Sequence, residues 1–152
     1  MDVDLARLKY YGFGFGTVAG LRRTRISRTG YTGEDGFELY LPAGEGVRVW
    51  HELMAAGAPL GLKPIGLGAR DVLRLEAGMA LYGHELSEES NPREAGIEFA
   101  LALTGEKGDF IGRAGLEALA QARRARLVGI TTEGPRVPRQ GLELFQGGEL
   151  VG

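Results

Sequence analysis

Two periodicities divide the 152 residues of this chain. From 16 to 30, GTVAGLRRTRISRTG sets Val18, Leu21 and Ile26 against outward Thr and Arg, and predicts a strand. The run GFELYLP, from 36 to 42, alternates strictly. Phe37, Leu39 and Leu41 face one way, Glu38 and Tyr40 the other. These two segments predict an antiparallel pair joined by a Gly-rich loop. Helical spacing then takes over in GEGVRVWHELMAAG, with Val47, Trp50, Leu53 and Met54 on one face and Gly57 as the expected C-terminal cap.

GLGARDVLRLEAG predicts a second helix, stopped by Gly78. IEFALAL alternates as a further strand, its apolar face made of Ile97, Phe99, Leu101 and Leu103. IGRAGLEALAQARR predicts a third helix with Leu116, Leu119 and Ala120 in its stripe. From about Arg126 the texture changes to short strands and turns. RLVGITTEG is followed by LELFQGGELVG, where Gly147-Gly148 signals a hairpin. The chain therefore reads as an α+β unit, an antiparallel sheet flanked by helices, followed by the start of a β domain. About three strands are too few for that second part to hold a core of its own.

Composition narrows the class. Hydrophobic residues make up 43% and charged residues 25%, ordinary values for a globular protein. No apolar run approaches the roughly 20 residues of a membrane helix, and no signal peptide opens the chain. Neither a membrane nor a disulfide framework is expected. The absence of Cys suits a cytoplasmic protein. A net charge of -2 gives no support to a general nucleic-acid surface. The basic stretches LRRTRISR and ARRAR are short, and read as a strand face and a helix end.

The loop SRTGYTGEDGFELY, residues 27–40, carries the densest chemistry. It is not a phosphate loop of the Gly-Lys-Ser/Thr kind, and Glu34, Asp35 and Glu38 would repel a phosphate. GFGFGTVAG does not fit the dinucleotide fingerprint, and a strand follows it. The spacing of calcium loops is missing. His51 and His84 each precede a Glu, but neither begins a zinc-binding H-E-x-x-H, and no metal is expected. Glu38 stands on a strand whose outer face is either solvent or a pocket. A carboxylate on such a rigid support suits a planar pair of N–H donors. Arg70 lies in the first turn of its helix, where a cation is disfavoured by about 0.3–1 kcal/mol if exposed. It is either an ion-pair partner of Asp71 or Glu76, or a functional group.

The stretches SRTGYTGEDGFELY, GLGARDVLRLEAGMALYGHEL, NPREAGIEFAL and GDFIGRAGLEAL, in that order, resemble the aminomethyltransferase family, the T-protein of the glycine cleavage system. The folate-binding domains of dimethylglycine and sarcosine dehydrogenases share the fold but lack this form of the loop. The resemblance implies transfer of a one-carbon unit from the aminomethyl-lipoyl arm of H-protein to tetrahydrofolate, with release of ammonia. It implies tetrahydrofolate as co-substrate, with Glu38 binding the pterin, Arg70 contacting substrate and Tyr31 lining the folate pocket. Tyr10 and Tyr11 are further candidates for the pocket wall. The family's essential Asp belongs to its N-terminal half and has no counterpart here, so no catalytic residue is assigned. The chain is expected to be a middle-to-C-terminal fragment, inactive alone. Residues 1–124 would belong to the folate-binding region and 125–152 would open the C-terminal β-barrel. The alternatives are a non-catalytic folate-binding or regulatory module and the folate domain of an amine dehydrogenase.

Overall fold

In the computed structural model, which describes residues 2–103, 108–121, 125–135 and 137–152, the first sheet begins with a hairpin. Strands β1 (Phe13–Val18) and β2 (Leu21–Ser27) pair antiparallel. The chain reverses through Ala19 and Gly20, both in the left-handed region at φ 49° and 74°. Two such residues in succession give a turn whose twist matches that of the flanking strands. The single strand expected over 16–30 is thus two strands. Ala in place of the usual Asn or Asp made the turn hard to read. Strand β3 (Glu38–Tyr40) joins the free edge of β2, giving the order β1-β2-β3. Arg25 lies opposite Tyr40, Ile26 opposite Leu39 and Ser27 opposite Glu38, so the expected antiparallel pair forms.

Period two then sorts the side chains. Val18, Thr24 and Ile26 are buried on the inner face, where a Cβ at Gly16 would collide with Val3. Helix α1 (Gly46–Gly57) covers that face with Val49, which is fully buried, and Leu53. Leu39, Leu41, Leu5 and Leu8 complete the cluster. Val47 and Trp50, expected inward, are 71% and 51% exposed. Two overlapping stripes satisfy the same 3.6 period, and contact with the sheet selects the one through Val49. Arg48 fixes this rotation, its Nη1 donating to the carbonyl of Ala19 in the hairpin turn at 2.8 Å. Gly57 is the last residue of α1 with an ordinary helical φ of −86°; the left-handed residue is Gly61, after a 3-10 turn over Ala58–Leu60.

Helix α2 (Leu67–Glu76) ends as expected at Gly78, φ 70°. The N–H of Gly78 donates to the Leu75 carbonyl at 2.9 Å and that of Met79 to the Arg74 carbonyl at 2.8 Å. This pair of bonds closes a helix over a left-handed glycine.

Residues Met1–Ser87 and Glu88–Gly152 form separate compact units. In the second, the segment 97–103 is not a strand. It holds a 3-10 turn over Glu98–Ala100, and Phe99 is 85% exposed. Alternation alone does not make a strand without a partner edge, and no described strand offers it one. Helix α3 (Arg113–Gln121) carries a half-buried Leu116 and a more exposed Leu119; the Ala120 side chain and most of ARRAR lie outside the described residues. RLVGITTEG contains no strand. Strands β4 (Phe145–Gln146) and β5 (Glu149–Leu150) pair antiparallel across Gly147-Gly148, both left-handed. Among the described residues no helix is long and apolar enough to cross a membrane.

With so small a buried core, Ile26 carries unusual weight. Ile26→Ala is expected to destabilise the Met1–Ser87 unit by about 2–5 kcal/mol, whereas Phe99→Ala changes stability by less than about 0.5 kcal/mol. Urea unfolding of both variants tests this. A large loss from Phe99→Ala would restore the buried strand that the alternation predicts.

Candidate functional site

The loop between β2 and β3 is closed by its own charges. Arg28 grips Asp35 with two parallel bonds, Nε to Oδ1 at 2.8 Å and Nη2 to Oδ2 at 2.7 Å. Its Nη1 donates to the Leu8 carbonyl at 2.9 Å, and the guanidinium lies 5.7 Å from the Phe37 ring centre. The bond from Arg28, against a smaller opposing effect of burial, holds the Asp35 carboxyl below the ordinary carboxylate range. Asp35 is therefore committed to the loop's shape.

Glu38 opens β3 on the outer face of the sheet. One of its carboxylate oxygens accepts from the Thr29 hydroxyl, which is itself bonded to Ser27 Oγ at 2.7 Å. The carboxylate is thereby held at one oxygen by the loop on which it stands. Tyr31, nearer the start of the loop, is held at its other end. Its hydroxyl donates to the carbonyls of Ala80 and, at 3.4 Å, Met79. Above the ring sits Arg70, with Cζ 4.6 Å from the centroid. The structure thus brings Tyr31 and Arg70 together, while the hydrogen bond of Glu38 is to Thr29. Asp71, a proposed partner for Arg70, is bonded to Arg74 instead.

Tyr10 and Tyr11 stand beside the first residue of the loop. The N–H of Tyr11 donates to the Arg28 carbonyl at 3.1 Å, and the N–H of Arg28 to that of Gly12 at 2.9 Å. Their rings meet edge to face at 4.5 Å, both exposed. The hydrogen bond with Tyr11 raises the Tyr10 hydroxyl above its ordinary pKa. His51 and His84 are exposed.

The residue that sequence reasoning missed is Arg74. Only 3% exposed, it donates from Nε to Asp71 at 2.8 Å, and from Nη1 to Glu85 at 2.6 Å and to the Met79 carbonyl at 3.2 Å. The same Glu85 oxygen accepts the Leu81 N–H at 2.9 Å. The chain after α2 wraps around this guanidinium, and so presents the Met79 and Ala80 carbonyls to Tyr31. The signal in the sequence was the Asp71–Arg74 spacing of three, with Glu85 close behind; nothing local marked Arg74 as the inward residue. Burial pushes the Glu85 carboxyl up, but the Leu81 N–H and Arg74 outweigh it and leave the group below its ordinary value. The bond to Asp71 is the largest influence raising Arg74.

Residues 1–105 match the family described as the GCVT N-terminal domain, well over half of the chain. The aminomethyltransferase of Koribacter versatilis is 51% identical over 147 residues, which cover 95% of this chain and 38% of that protein. That of Streptomyces avermitilis is 52% identical over 155 residues, covering 99% and 41%. Among solved structures, the glycine cleavage system aminomethyltransferase T from Bartonella henselae is similar with a TM-score of 0.66 and 30% identity, over 79% of this chain and 32% of that one. The chain spans about two fifths of the length of these curated relatives, 38% and 41%.

The buried pair makes a pH prediction. Because the folded-state value of Glu85 is lowered, its stabilising contribution is complete above the ordinary carboxylate pKa of roughly 4.3. It is lost as the pH falls through the lowered value. Glu85→Gln is therefore expected to destabilise the unit at neutral pH and to make the acid decline shallower. Asp2 and Asp35, lowered by their own partners, retain their share of that decline. Parallel urea midpoints for wild type and variant across the acid range would contradict the role given to Glu85.

Proposed function

The chain belongs to the GCVT family of glycine cleavage aminomethyltransferases, and from that premise we propose that it supplies the tetrahydrofolate-binding wall of such an enzyme. The reaction assigned to the whole protein takes the aminomethyl group from the lipoyl arm of H-protein. It releases ammonia and leaves a methylene unit on tetrahydrofolate. Residues 1–124 are read as folate-binding region, and 125–152 as the opening strands of the C-terminal barrel domain. No residue here is matched to the family's catalytic Asp, so turnover is assigned to the whole protein and binding to this part of it. The reading includes a cytoplasmic setting and lipoylated H-protein as partner, with neither nucleic acid nor membrane.

One observation carries the proposal. A single loop, closed by Arg28 and Asp35, holds Tyr31 against Arg70 near one end and Glu38 on β3 at the other. The pterin ring offers an N–H beside an amino group, a donor pair that a fixed carboxylate accepts well. Glu38 provides that carboxylate, its orientation set by Thr29. Tyr31 offers a flat face held by its hydroxyl bond to Ala80 and capped by Arg70. Tyr10 and Tyr11 extend the aromatic wall on the near side of the loop. Nothing in this arrangement needs a metal. The co-substrate carries the acceptor nitrogen, and these side chains bind and orient its ring.

Calorimetric titration of the chain with tetrahydrofolate tests the assignment. Binding is expected to be weak and to produce no turnover. Glu38→Ala should weaken it by a further ~1–3 kcal/mol, because two pterin donors are left unpaired. Arg70→Ala should cost about 0.5–1 kcal/mol through the loss of the cation over Tyr31. Unchanged affinity in both variants would sink the assignment.

A further inference from the structure

Ser27 ends β2 between two antiparallel partners, Phe13 of β1 on one side and Glu38 of β3 on the other. It shares the outer face of the sheet with Glu38, where polar side chains are ordinarily open to water, yet it is only 8% exposed. Its hydroxyl meets that of Thr29, two residues on, at 2.7 Å. The direction of this bond follows from counting protons. Thr29 has one hydroxyl proton and gives it to Glu38, since a carboxylate only accepts. The Thr29 oxygen can then receive from Ser27 but cannot donate to it. The protons run one way, from Ser27 to Thr29 to Glu38.

The three links are unequally supported. Ser27 belongs to the central strand and is held by ladder pairing on both sides. Thr29 lies past the end of β2, in the loop, where no strand partner fixes it. A hydroxyl that accepts one hydrogen bond is also the stronger donor in the next. The Ser27 bond therefore ties the Thr29 side chain to the sheet and sharpens its hold on Glu38. Among the described residues Thr29 is the only hydrogen-bond donor to that carboxylate, so the rest of its accepting capacity is open to a ligand. We propose that Ser27 is a positioning residue for the folate site: acting through Thr29, it sets the orientation in which Glu38 meets the pterin donors. The inference rests on Glu38 binding the pterin, and gives Ser27 no contact with the ligand. A bond that merely braced the loop would act on stability, and its effect on binding would not depend on Glu38.

Ligand-observed NMR titration of the full chain with tetrahydrofolate, which follows binding into the millimolar range, is the test. Ser27→Ala is expected to weaken binding about three- to tenfold, the worth of one hydrogen bond. Ser27→Thr, which keeps a hydroxyl at the same position, should recover most of that loss. Thr29→Val should weaken binding at least as much as Ser27→Ala, and offers a second route to the result if Ser27→Ala folds poorly by its urea midpoint. In a Glu38→Ala background neither substitution should cost anything further, because the chain of hydroxyls then ends on no carboxylate. An equal loss with and without Glu38 would overturn the positioning role and leave the pterin site standing. So would wild-type affinity in Ser27→Ala beside a clear loss in Glu38→Ala. If the wild type does not bind, or binds equally well without Glu38, the pterin reading falls and the role of Ser27 falls with it.

Discussion

Arg74 lies almost without solvent contact among two carboxylates and a backbone carbonyl, and the position of the candidate site depends on it. A buried guanidinium left unpaired is strongly unfavourable, so each of its partners is fixed where the charge requires it. Asp71 comes from the same helix, one turn earlier, and orients the side chain. Glu85 and the Met79 carbonyl come from the segment that follows, and they fold that segment back over the helix end. The Ala80 carbonyl is then in place to receive the Tyr31 hydroxyl. A helix, its trailing chain and the loop between β2 and β3 are joined through one cation. The interaction is structural, yet it decides where the aromatic face of the loop stands.

The sheet contributes a second constraint of another kind. Because side chains alternate, the register that buries Ile26 also puts Ser27, Arg25, Glu38 and Tyr40 on the opposite side. Outward side chains and core residues are thus two readings of the same strands. A slip of one residue would exchange them. The Arg28–Asp35 grip protects this register by fixing the length and closure of the intervening loop. It also ties Asp35, one of the loop's three acids, into the fold, while Glu38 stands on the sheet.

Much of the fold was legible along the chain. The alternation from Phe37 to Leu41, the stop at Gly78 and the Gly147-Gly148 turn were all local signals, each confined to a few residues. Arg70 was legible as a cation against the helix dipole and Glu38 as a carboxylate on a rigid strand, while Tyr31 was singled out by the family resemblance. The hairpin at Ala19-Gly20 was less so, since Ala seldom occupies a left-handed turn position and the flanking pattern continued across it. The strand pattern from Ile97 to Leu103 misled for a different reason. Alternation describes a surface that a strand would present, but a strand exists only where another edge bonds to it.

The sequence by itself determined the local backbone: where glycines let the chain turn, where helices stop, and which segments have two unlike faces. It also named Glu38, Tyr31 and Arg70 as candidates. Only the tertiary structure decided that α1 buries Val49 rather than Val47 and Trp50, that Arg74 turns inward while Arg70 caps Tyr31, and that Glu38 shares a face with Arg25. A hydrophobic period specifies a stripe without fixing its phase. Burial and ion pairing are set between segments distant along the chain, as Arg74 with Glu85 and Tyr31 with Ala80 illustrate, and such pairings exist only once those segments meet.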